Sequence, residues 1–369
     1  MRTLIVGGGL AGLALARALG RAGLPFDLVE RAETLRADGT GIFLLGNATR
    51  ALAALGLSDV LAARAQACPS QSIHNRSGRL LHRLDTARFW GAAGPCVAVS
   101  RPVLHAALAD AVPEGRVRTG LELAGITPAG AGHEVRFSDG STGRYDFVVG
   151  ADGLNSTVRS MLFPAAPGPQ PLGQRCWRYV TANTLGLDGW TVMLGKGKAL
   201  LAIPIEDGRL YVYADASAPQ ARDLPAAAPA ALRALFADFA GPLAPLLDTL
   251  PPPEQIHAAD LAMVPFAPST RDDALLIGDA AHASSPNMAQ GAALSFEDAV
   301  TLAAALKEED GLPRALARFH ARQGARVRHV QKQTWARDAL RGLPDGLRSF
   351  VLGRFGDRLY HRAFGPLLG

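Results

Sequence analysis

The sequence predicts an α/β protein in which one domain is built on a parallel sheet flanked by helices and a second domain is built on an antiparallel sheet. Residues 3–31 have the pattern of a strand, a glycine-rich turn, an amphipathic helix and a second strand. Two later apolar runs, within residues 145–153 and 273–282, each end in a turn containing glycine and aspartate. A proline- and glycine-rich stretch, 164–171, then precedes segments with alternating apolar residues, which indicates a domain boundary.

The first turn has the pattern Gly-x-Gly-x-x-Gly, formed by Gly7, Gly9 and Gly12. The missing side chains allow a tight turn, a close approach of the backbone to a pyrophosphate, and packing of the helix on the strand. The helix N-terminus stabilises phosphate charge through its free amides. Glu30 ends the next strand and can accept hydrogen bonds from an adenosine ribose, which favours FAD or NAD over NADP. Arg31 is either a solvated charge or lies along the adenosine.

Composition excludes several function classes. A chain of 369 residues suggests about two domains, and 48% hydrophobic with 19% charged residues is typical of a globular protein. No apolar run reaches the roughly twenty residues of a membrane span. The first strand follows Met1 and Arg2 directly, so we expect no signal peptide and a cytoplasmic protein. The three cysteines, Cys68, Cys96 and Cys176, lack the spacing of a metal site or disulfide scaffold, so we expect free thiols and no metal.

The net charge of +5 raises the question of nucleic-acid binding. The basic residues are scattered among alanine and leucine instead of clustering with aromatic residues, which argues against it. The excess lies mainly in the predicted helix at 314–341. This helix either presents a solvated basic face or steers an anionic phosphate or substrate.

Between these motifs the chain alternates loops and short elements. Residues 36–47 are a glycine-punctuated loop that leads into a strand, and residues 48–55 form a helix. Residues 70–84 alternate as a hairpin that leaves the first domain and returns to it. Arg101 lies at the start of another helix, where it is either a surface charge or a partner for a phosphate or ribityl oxygen.

The later strand ends supply further candidate ligands. Residues 117–147 predict a small meander covering one face of the dinucleotide fold. Asp152 follows it and either orients a ribose or caps the next helix. Asp279 can accept hydrogen bonds from sugar or ribityl hydroxyls. The next predicted helix starts at Gln290, Gly291 and Ala292. The backbone N–H groups of these residues would stabilise negative charge on a reduced flavin.

Alternating apolar residues then predict the strands of the second sheet, at 175–182, 191–194, 199–204 and 209–214. Most aromatic side chains here are expected in the core of that sheet. Two polar side chains are candidates for substrate binding. Arg178 can pair with a carboxylate or enolate, and Tyr213 can hydrogen-bond to a phenol.

Taken together, these motifs resemble those of the group A flavoprotein monooxygenases, the para-hydroxybenzoate hydroxylase-like aromatic hydroxylases. The resemblance spans residues 1 to about 340 and rests on residues 7–12 with Glu30, on 150–153 with Ser156 and Arg159, and on 278–282 with Pro286, Gln290, Gly291, Glu297 and Asp298. It implies a Rossmann-like FAD-binding domain of the GR2/PHBH type and a substrate domain built on an antiparallel sheet. The FAD-binding domain would be discontinuous, over 1–69, 97–170 and 270–340, with the substrate domain at 70–96 and 171–269 and a C-terminal helical segment at 341–369.

The resemblance also implies the chemistry. FAD would be bound tightly but not covalently by Gly7, Gly9, Ala11, Gly12, Glu30, Arg31, Gly41, Arg101, Asp152, Asp279, Gln290, Gly291 and Ala292. NADH or NADPH would reduce it, and reaction with O2 would give a flavin C4a-hydroperoxide that hydroxylates or epoxidises an electron-rich aromatic or heteroaromatic small molecule. No residue is assigned as the catalyst. His282 fits a structural or flavin contact better than a proton-transfer role, and the protein would be a monomer or homodimer.

The sequence departs from the family pattern at two places. Ala289 replaces the first glycine of Pro-x-x-Gly-Gln-Gly, which costs backbone freedom if the position needs a positive φ, and Gly46 replaces the proline of Pro-Asn-Ala. An FAD-dependent reductase or oxidase of the same fold is the alternative function. A non-enzymatic flavoprotein-like carrier is disfavoured because all three motifs are retained. The segment 341–369 is expected to pack on the body, with a lid or a dimer contact as alternatives.

Overall fold

The computed structural model describes residues 1–35, 39–113, 115–221, 228–271 and 273–369, so residues 36–38 of the predicted loop lie outside the described part. The strands of this part are β1 (Thr3–Val6), β2 (Phe26–Val29), β3 (Gly41–Leu44), β4 (Gln66–Ala67), β5 (Ser70–Asn75), β6 (Leu80–Asp85), β7 (Val97–Ser100), β8 (Val117–Arg118), β9 (Leu123–Pro128), β10 (His133–Phe137), β11 (Thr142–Tyr145), β12 (Phe147–Gly150), β13 (Gln170–Ala182), β14 (Trp190–Gly195), β15 (Lys198–Ile205), β16 (Arg209–Ser217), β17 (His257–Met263), β18 (Thr270–Arg271) and β19 (Ala274–Leu276).

The α-helices of the same residues are α1 (Leu10–Ala22), α2 (Gly46–Ala54), α3 (Ser58–Arg64), α4 (Thr86–Trp90), α5 (Arg101–Ala109), α6 (Thr157–Leu162), α7 (Ala218–Ala221), α8 (Pro229–Leu235), α9 (Asp279–His282), α10 (Gly291–Glu308), α11 (Leu312–Gly342) and α12 (Asp345–Phe364). Short 3-10 helices lie at Ala244–Leu247, Pro253–Gln255, Pro286–Met288 and Gly365–Leu367.

The first sheet is the predicted parallel one, with strand order β18-β19-β12-β1-β2-β8. All its pairs are parallel except β18 with β19. Its central strands are buried on both faces, as expected for a parallel sheet covered on both sides. Side chains of one face pack in a core with α1 and α10, and those of the other face pack with the antiparallel meander β9-β10-β11. The predicted meander over one face is therefore confirmed.

The register of this sheet brings the three predicted turns together. Val6 is aligned with Gly150, and Gly150 is aligned with Leu276. The chain therefore leaves β1, β12 and β19 at the same edge of the sheet. In parallel sheets this carboxyl edge is where ligands bind.

The second large sheet has strand order β17-β13-β16-β15-β14-β5-β6. The predicted hairpin is β5 with β6, and it extends the sheet built from the four predicted strands. The sheet differs from the expected antiparallel arrangement at one place, because β5 pairs with β14 in parallel. The physical reason is that the hairpin comes from an earlier part of the chain, so no tight turn forces it to run against β14. One face of the sheet packs on α8 and residues 236–247.

The other face of this sheet is turned toward the C-terminal helices. Helix α12 packs on β6, and Trp90 Nε1 of α4 donates a hydrogen bond of 2.9 Å to the Tyr360 hydroxyl. Helix α11 packs along α10. No helix in the described ranges is long and apolar enough to cross a membrane.

Candidate active site

In the turn after β1, two of the three glycine positions of the motif have no room for a side chain. Gly7 has a φ of +109°, and a Cβ there would lie 2.6 Å from the Ala151 carbonyl oxygen. A Cβ at Gly12 would lie 1.9 Å from the Gly7 carbonyl oxygen. A Cβ at Gly9 would meet nothing within 4 Å, so open space lies in front of the α1 N-terminus. This turn fits a pyrophosphate, since close backbone packing behind it leaves free amides toward that space.

The carboxylate of Glu30 braces the same turn. One of its oxygens accepts a hydrogen bond of 2.6 Å from the Gly8 amide, and the other accepts one of 2.9 Å from the Ala32 amide. Each carboxylate oxygen can accept a further hydrogen bond, so the expected ribose contact stays a prediction. Arg31 is exposed. Ala11 lies across from the third turn, because a Cβ at Gly278 would come within 2.8 Å of the Ala11 Cβ.

Asp152, in the second turn, caps the helix that follows it. Its Oδ2 accepts hydrogen bonds of 2.7 and 3.1 Å from two amides in the first turn of α6. Its buried Oδ1 has no partner among the described residues. The buried guanidinium of Arg159 then joins the second turn to the third, since it donates to the Leu154 and Ala280 carbonyl oxygens at 2.6 and 2.8 Å. The capping alternative is thus realised, and a contact of Asp152 with a ribose stays a prediction.

The third turn rests on a buried ion pair. Asp298 Oδ2 accepts a hydrogen bond of 2.9 Å from the Gly278 amide and lies 2.7 Å from His282 Nε2. Burial lowers the pKa of His282, but the charge and hydrogen bond of Asp298 outweigh it, so this pKa is raised overall. The pair fixes the backbone from which the exposed Asp279 side chain projects. The structure therefore gives His282 a structural place beneath the turn.

The start of α10 is fixed by a buried polar network. The side-chain amides of Gln290 and Asn47 exchange hydrogen bonds of 2.9 and 3.2 Å, and Asn47 also donates to Glu297 at 3.2 Å. Burial raises the pKa of Glu297, while the two hydrogen bonds from Arg326, at 2.6 and 2.9 Å, act against that shift. The side chain of Gln290 therefore makes its hydrogen bonds within the protein. The backbone N–H groups at the α10 N-terminus face the site.

Ala289, just before this helix, adopts a left-handed backbone conformation with φ +50° and ψ +36°. The position therefore does need a positive φ, as the family glycine indicated. An alanine in this conformation costs about 1–2 kcal/mol relative to its preferred backbone. The surrounding loop holds it there.

A cavity of about 790 Å³ joins the first sheet's edge to the second sheet. It brings together eight of the residues that the sequence singled out, namely Gly41, Arg101, Asp279, Gln290, Gly291, Ala292, Arg178 and Tyr213. The glycine turn after β1, Ala11, Glu30, Arg31 and Asp152 are not part of its lining. Gly41 packs against Tyr211, since a Cβ there would lie 2.4 Å from the Tyr211 Cβ.

The two polar side chains predicted for substrate binding lie on neighbouring strands of the cavity wall. Arg178 on β13 is aligned with Tyr213 on β16. Arg178 Nε and the Tyr213 hydroxyl are buried without a hydrogen-bond partner in the described part of the chain. Burial raises the pKa of Tyr211 to about 12, and burial together with the Asp215 charge raises the pKa of Tyr213 well above its usual range. Both tyrosines therefore stay neutral and can donate hydrogen bonds at neutral pH.

The sequence did not indicate that the C-terminal helices would form a wall of this cavity. From α11 and α12, the lining includes Ala336, Leu340, Arg341, Leu352, Leu359 and Tyr360. The buried Asp215 pairs with Arg341 and so fastens the end of α11 to β16. The sequence could have indicated Asp215 as a cavity residue, because it lies two residues beyond Tyr213 and therefore on the same face of the strand. The sequence gives no such indication for the two helices, because an apolar helix face does not show which element it packs against.

Comparison with known proteins identifies the family. Residues 1–334 match the family described as FAD binding domain. A 2-heptyl-3-hydroxy-4(1H)-quinolone synthase from Pseudomonas aeruginosa is 37% identical over 346 residues, which cover 91% of this chain and 88% of that protein. The aurachin C monooxygenase/isomerase of Stigmatella aurantiaca is 34% identical over 325 residues, covering 87% and 84%.

Solved structures show the same fold. The structure of Klebsiella pneumoniae HpxO complexed with FAD and uric acid has a TM-score of 0.90 at 24% identity and covers 100% of this chain and 97% of that chain. The P. aeruginosa PqsL complex with 2-aminobenzoylacetate has a TM-score of 0.85 at 22% identity, covering 95% and 99%. The chain thus belongs to the group A FAD-dependent monooxygenases and is a flavin-dependent enzyme that uses FAD, NAD(P)H and O2 to oxygenate an aromatic or heteroaromatic small molecule.

Proposed function

We propose that this monooxygenase oxygenates a heteroaromatic ring carrying an apolar chain, with a ring oxygen held by Arg178 and Tyr213. The observation that carries this proposal is the large cavity, which is apolar over most of its walls and includes Arg178 and Tyr213 on neighbouring strands. A volume of about 790 Å³ lies in the range of cavities that take drug-sized ligands. The first relative, whose name includes a quinolone ring with a heptyl chain, supports the same substrate class.

The FAD site follows from the three turns. The turn Gly7, Gly9 and Gly12 would hold the pyrophosphate, with Glu30 and Arg31 toward the adenosine. Ala11 belongs to this same turn, and Asp152 lies in the second turn. The ribityl and ring end would lie in the cavity beside Gly41, Arg101, Asp279, Gln290, Gly291 and Ala292. FAD, once bound and reduced by NAD(P)H, supplies the activation of O2 from which one oxygen atom reaches the substrate.

The residues around the substrate would raise its reactivity by electrostatics. An arginine keeps its charge in proteins, and the raised pKa of Tyr213 keeps its hydroxyl protonated. Arg178 and Tyr213, which are aligned on neighbouring strands, would each donate a hydrogen bond to one oxygen of the ring and stabilise negative charge on it. An oxygen with enolate character raises the electron density of the adjoining ring carbon. The sheet, α11 and α12 wall this space and would limit the access of water to a bound substrate.

The test is a comparison of substrates and variants of the FAD-loaded enzyme. NADH and NADPH oxidation is measured with 2-heptyl-4(1H)-quinolone, with urate and with 4-hydroxybenzoate, and products are analysed by mass spectrometry under ¹⁸O₂. We expect the alkylated ring to stimulate oxidation most and to gain one labelled oxygen. Arg178→Gln and Tyr213→Phe should each lower kcat/KM by about tenfold or more, since each removes a charge-assisted or neutral hydrogen bond to the ring oxygen.

Tyr179→Phe is the matched control, because Tyr179 lies next to Arg178 on β13 but is buried in the core on the opposite face of the sheet. It should leave kcat/KM unchanged. Oxidation of NAD(P)H without oxygen incorporation into any of the three compounds would favour the reductase or oxidase function instead. Faster turnover of urate than of the alkylated ring would contradict the proposed substrate class.

Three features of organisation accompany this function. The FAD-binding domain comprises residues 1–69, 97–170 and 270–340, the substrate domain comprises 70–96 and 171–269, and 341–369 form a C-terminal helical segment. The separate cores of the two large sheets support this division. The protein acts in the cytoplasm as a monomer or homodimer. Light scattering of the purified holoenzyme and cell fractionation test the last two points.

A further inference from the structure

The basic charge of the protein is concentrated in its last two helices. Residues 312–369 contain twelve Arg or Lys and three Asp or Glu, so this part carries a net charge of +9. The whole chain carries +5, which leaves −4 for the remainder. Five of these basic residues form ion pairs with carboxylates, namely Arg314, Arg318, Arg326, Arg341 and Arg348. The exposed ones that remain lie along α11 and α12, at Arg322, Arg328, Lys332, Arg354, Arg358 and Arg362.

Helix α12 exposes an apolar and basic stripe to solvent, formed by Leu347, Phe350, Arg354 and Arg358. Their spacing of three and four residues places them on one side of the helix. Leu347 is 50% exposed and Phe350 is 62% exposed, which is unusual for side chains of this size. Arg354 and Arg358 are exposed one and two turns further along.

The opposite side of α12 lines the substrate cavity through Leu352, Gly356, Leu359 and Tyr360. Only the thickness of one helix therefore separates the exposed stripe from the cavity. The helix is joined to α11 by the two residues 343 and 344. On α11, the large side chain of Trp335 is also exposed.

We propose that the α12 stripe binds the surface of an anionic lipid bilayer, from which the apolar chain of the substrate passes beside α12 into the cavity. This inference rests on the proposed function for the apolar character of the substrate. Leu347 and Phe350 enter the boundary between headgroups and acyl chains, and Arg354 and Arg358 lie against the lipid headgroups. Helices with an apolar side and nearby basic residues bind membranes in this way.

Charge favours a bilayer over a second copy of the chain as the occupant of this surface. A dimer through α12 would bring the exposed Arg354, Arg358 and Arg362 of both copies together, and their repulsion would oppose association. An anionic bilayer instead attracts each Arg or Lys that lies near its surface. An apolar substrate would also be concentrated in the bilayer, next to the helix that lines the cavity.

The experiment measures co-sedimentation of the holoenzyme with vesicles, in the absence of substrate. The vesicles consist of phosphatidylcholine alone or of equal parts phosphatidylcholine and phosphatidylglycerol. We expect binding to the mixed vesicles and little to phosphatidylcholine alone. Leu347→Ser with Phe350→Ser, and separately Arg354→Glu with Arg358→Glu, should weaken binding by about tenfold or more. Each double variant should keep wild-type turnover of a short-chain ring compound.

Two matched controls change exposed residues far from α12. Met161→Ser alters an exposed methionine of α6, and Arg64→Glu alters an exposed arginine of α3, and neither should change vesicle binding. Equal binding by wild type and both double variants would overturn the inference, as would an absence of vesicle binding. A dimer that dissociates in the Leu347 and Phe350 variant would assign the stripe to a second copy. Failure of the proposed function is seen separately, as a lack of oxygenated product from any ring compound.

Discussion

The glycine turn after β1 and the substrate cavity are built in opposite ways. The turn, residues 7–12, lies within one strand–helix unit, and its packing partners are the backbone atoms of Gly7 and Ala151. The cavity is formed by β13 to β16, the hairpin β5–β6, the α10 N-terminus and two C-terminal helices. Its lining spans residues 41 to 363 of the chain.

This difference shows where a change is tolerated. At Gly7 and Gly12 an added methyl group would meet backbone atoms, so it cannot fit unless the chain moves. In the cavity, side chains from separate elements meet across open space, so residues can change shape and polarity without disturbing the fold. The cofactor end should therefore be intolerant of substitution, and the substrate end should be adaptable, as loop and pocket variation on a fixed scaffold usually is.

The largest effect is expected from Gly12→Ala, because its Cβ would lie 1.9 Å from the Gly7 carbonyl oxygen. Separating α1 from the turn should cost about 3 kcal/mol or more of unfolding free energy and abolish FAD binding. Gly9→Ala is the matched control, since Gly9 has φ −76° and open space around its Cβ position. It should keep the unfolding free energy of the FAD-free protein within about 0.5 kcal/mol but weaken FAD binding. Urea unfolding measures the stability of each variant, and the flavin-to-protein ratio measures its FAD binding. Normal flavin content in Gly12→Ala would contradict the assignment of this turn to FAD.

The next largest effect is expected at the Asp215–Arg341 ion pair, called here the clamp, which joins β16 to α11. Asp215→Ala leaves the charge of Arg341 buried without its partner, which should cost about 3–5 kcal/mol of unfolding free energy. Because the clamp lies in the cavity wall and not at the FAD turns, the folded variant should keep its flavin while KM for substrate rises. Adding Arg341→Leu should recover part of the lost stability. Loss of flavin with unchanged KM would show that the two regions are not separable.

A smaller effect, with a defined pH dependence, is expected at the His282–Asp298 pair. The pKa of His282 is raised in the folded protein above its ordinary value of 6.5, so its stabilising contribution is complete below that value and is lost as the pH rises through the raised pKa. Asp298→Asn should cost about 1.5–3 kcal/mol near pH 6 and should remove this dependence. Thermal unfolding across the pH range tests it; a variant whose stability parallels wild type at every pH would refute the pairing.

The smallest effect is expected from Ala289→Gly, at the left-handed position before α10. Relief of the backbone strain, about 1–2 kcal/mol, is partly offset by the greater freedom of glycine in the unfolded chain, so a net gain of up to about 1 kcal/mol follows. Ala321→Gly, in the exposed middle of α11, should instead cost about 1 kcal/mol. A loss of stability in Ala289→Gly, measured by thermal unfolding, would mean that the alanine makes contacts worth more than its strain.

Much of the cofactor end was predictable from the sequence. Strand, glycine turn and helix follow one another within about thirty residues, and the ends of parallel strands share one edge, so the residue pattern alone places Gly9, Asp152 and Asp279 near one another. Arg178 and Tyr213 were also predictable as candidates, because alternation along a strand gives the face of each side chain. The parallel pairing of β5 with β14 was missed, since strand direction depends on connections far apart in the chain.

The sequence by itself determined the FAD turns and their order, because each depends on local backbone conformation and on residues close in the chain. Only the tertiary structure decided the use of the C-terminal helices as a cavity wall, the pairing of Asp215 with Arg341, and the exposed stripe of Leu347 and Phe350 on α12. The physical reason is that helical periodicity fixes which side chains share a face, whereas the partner of that face depends on how distant segments pack.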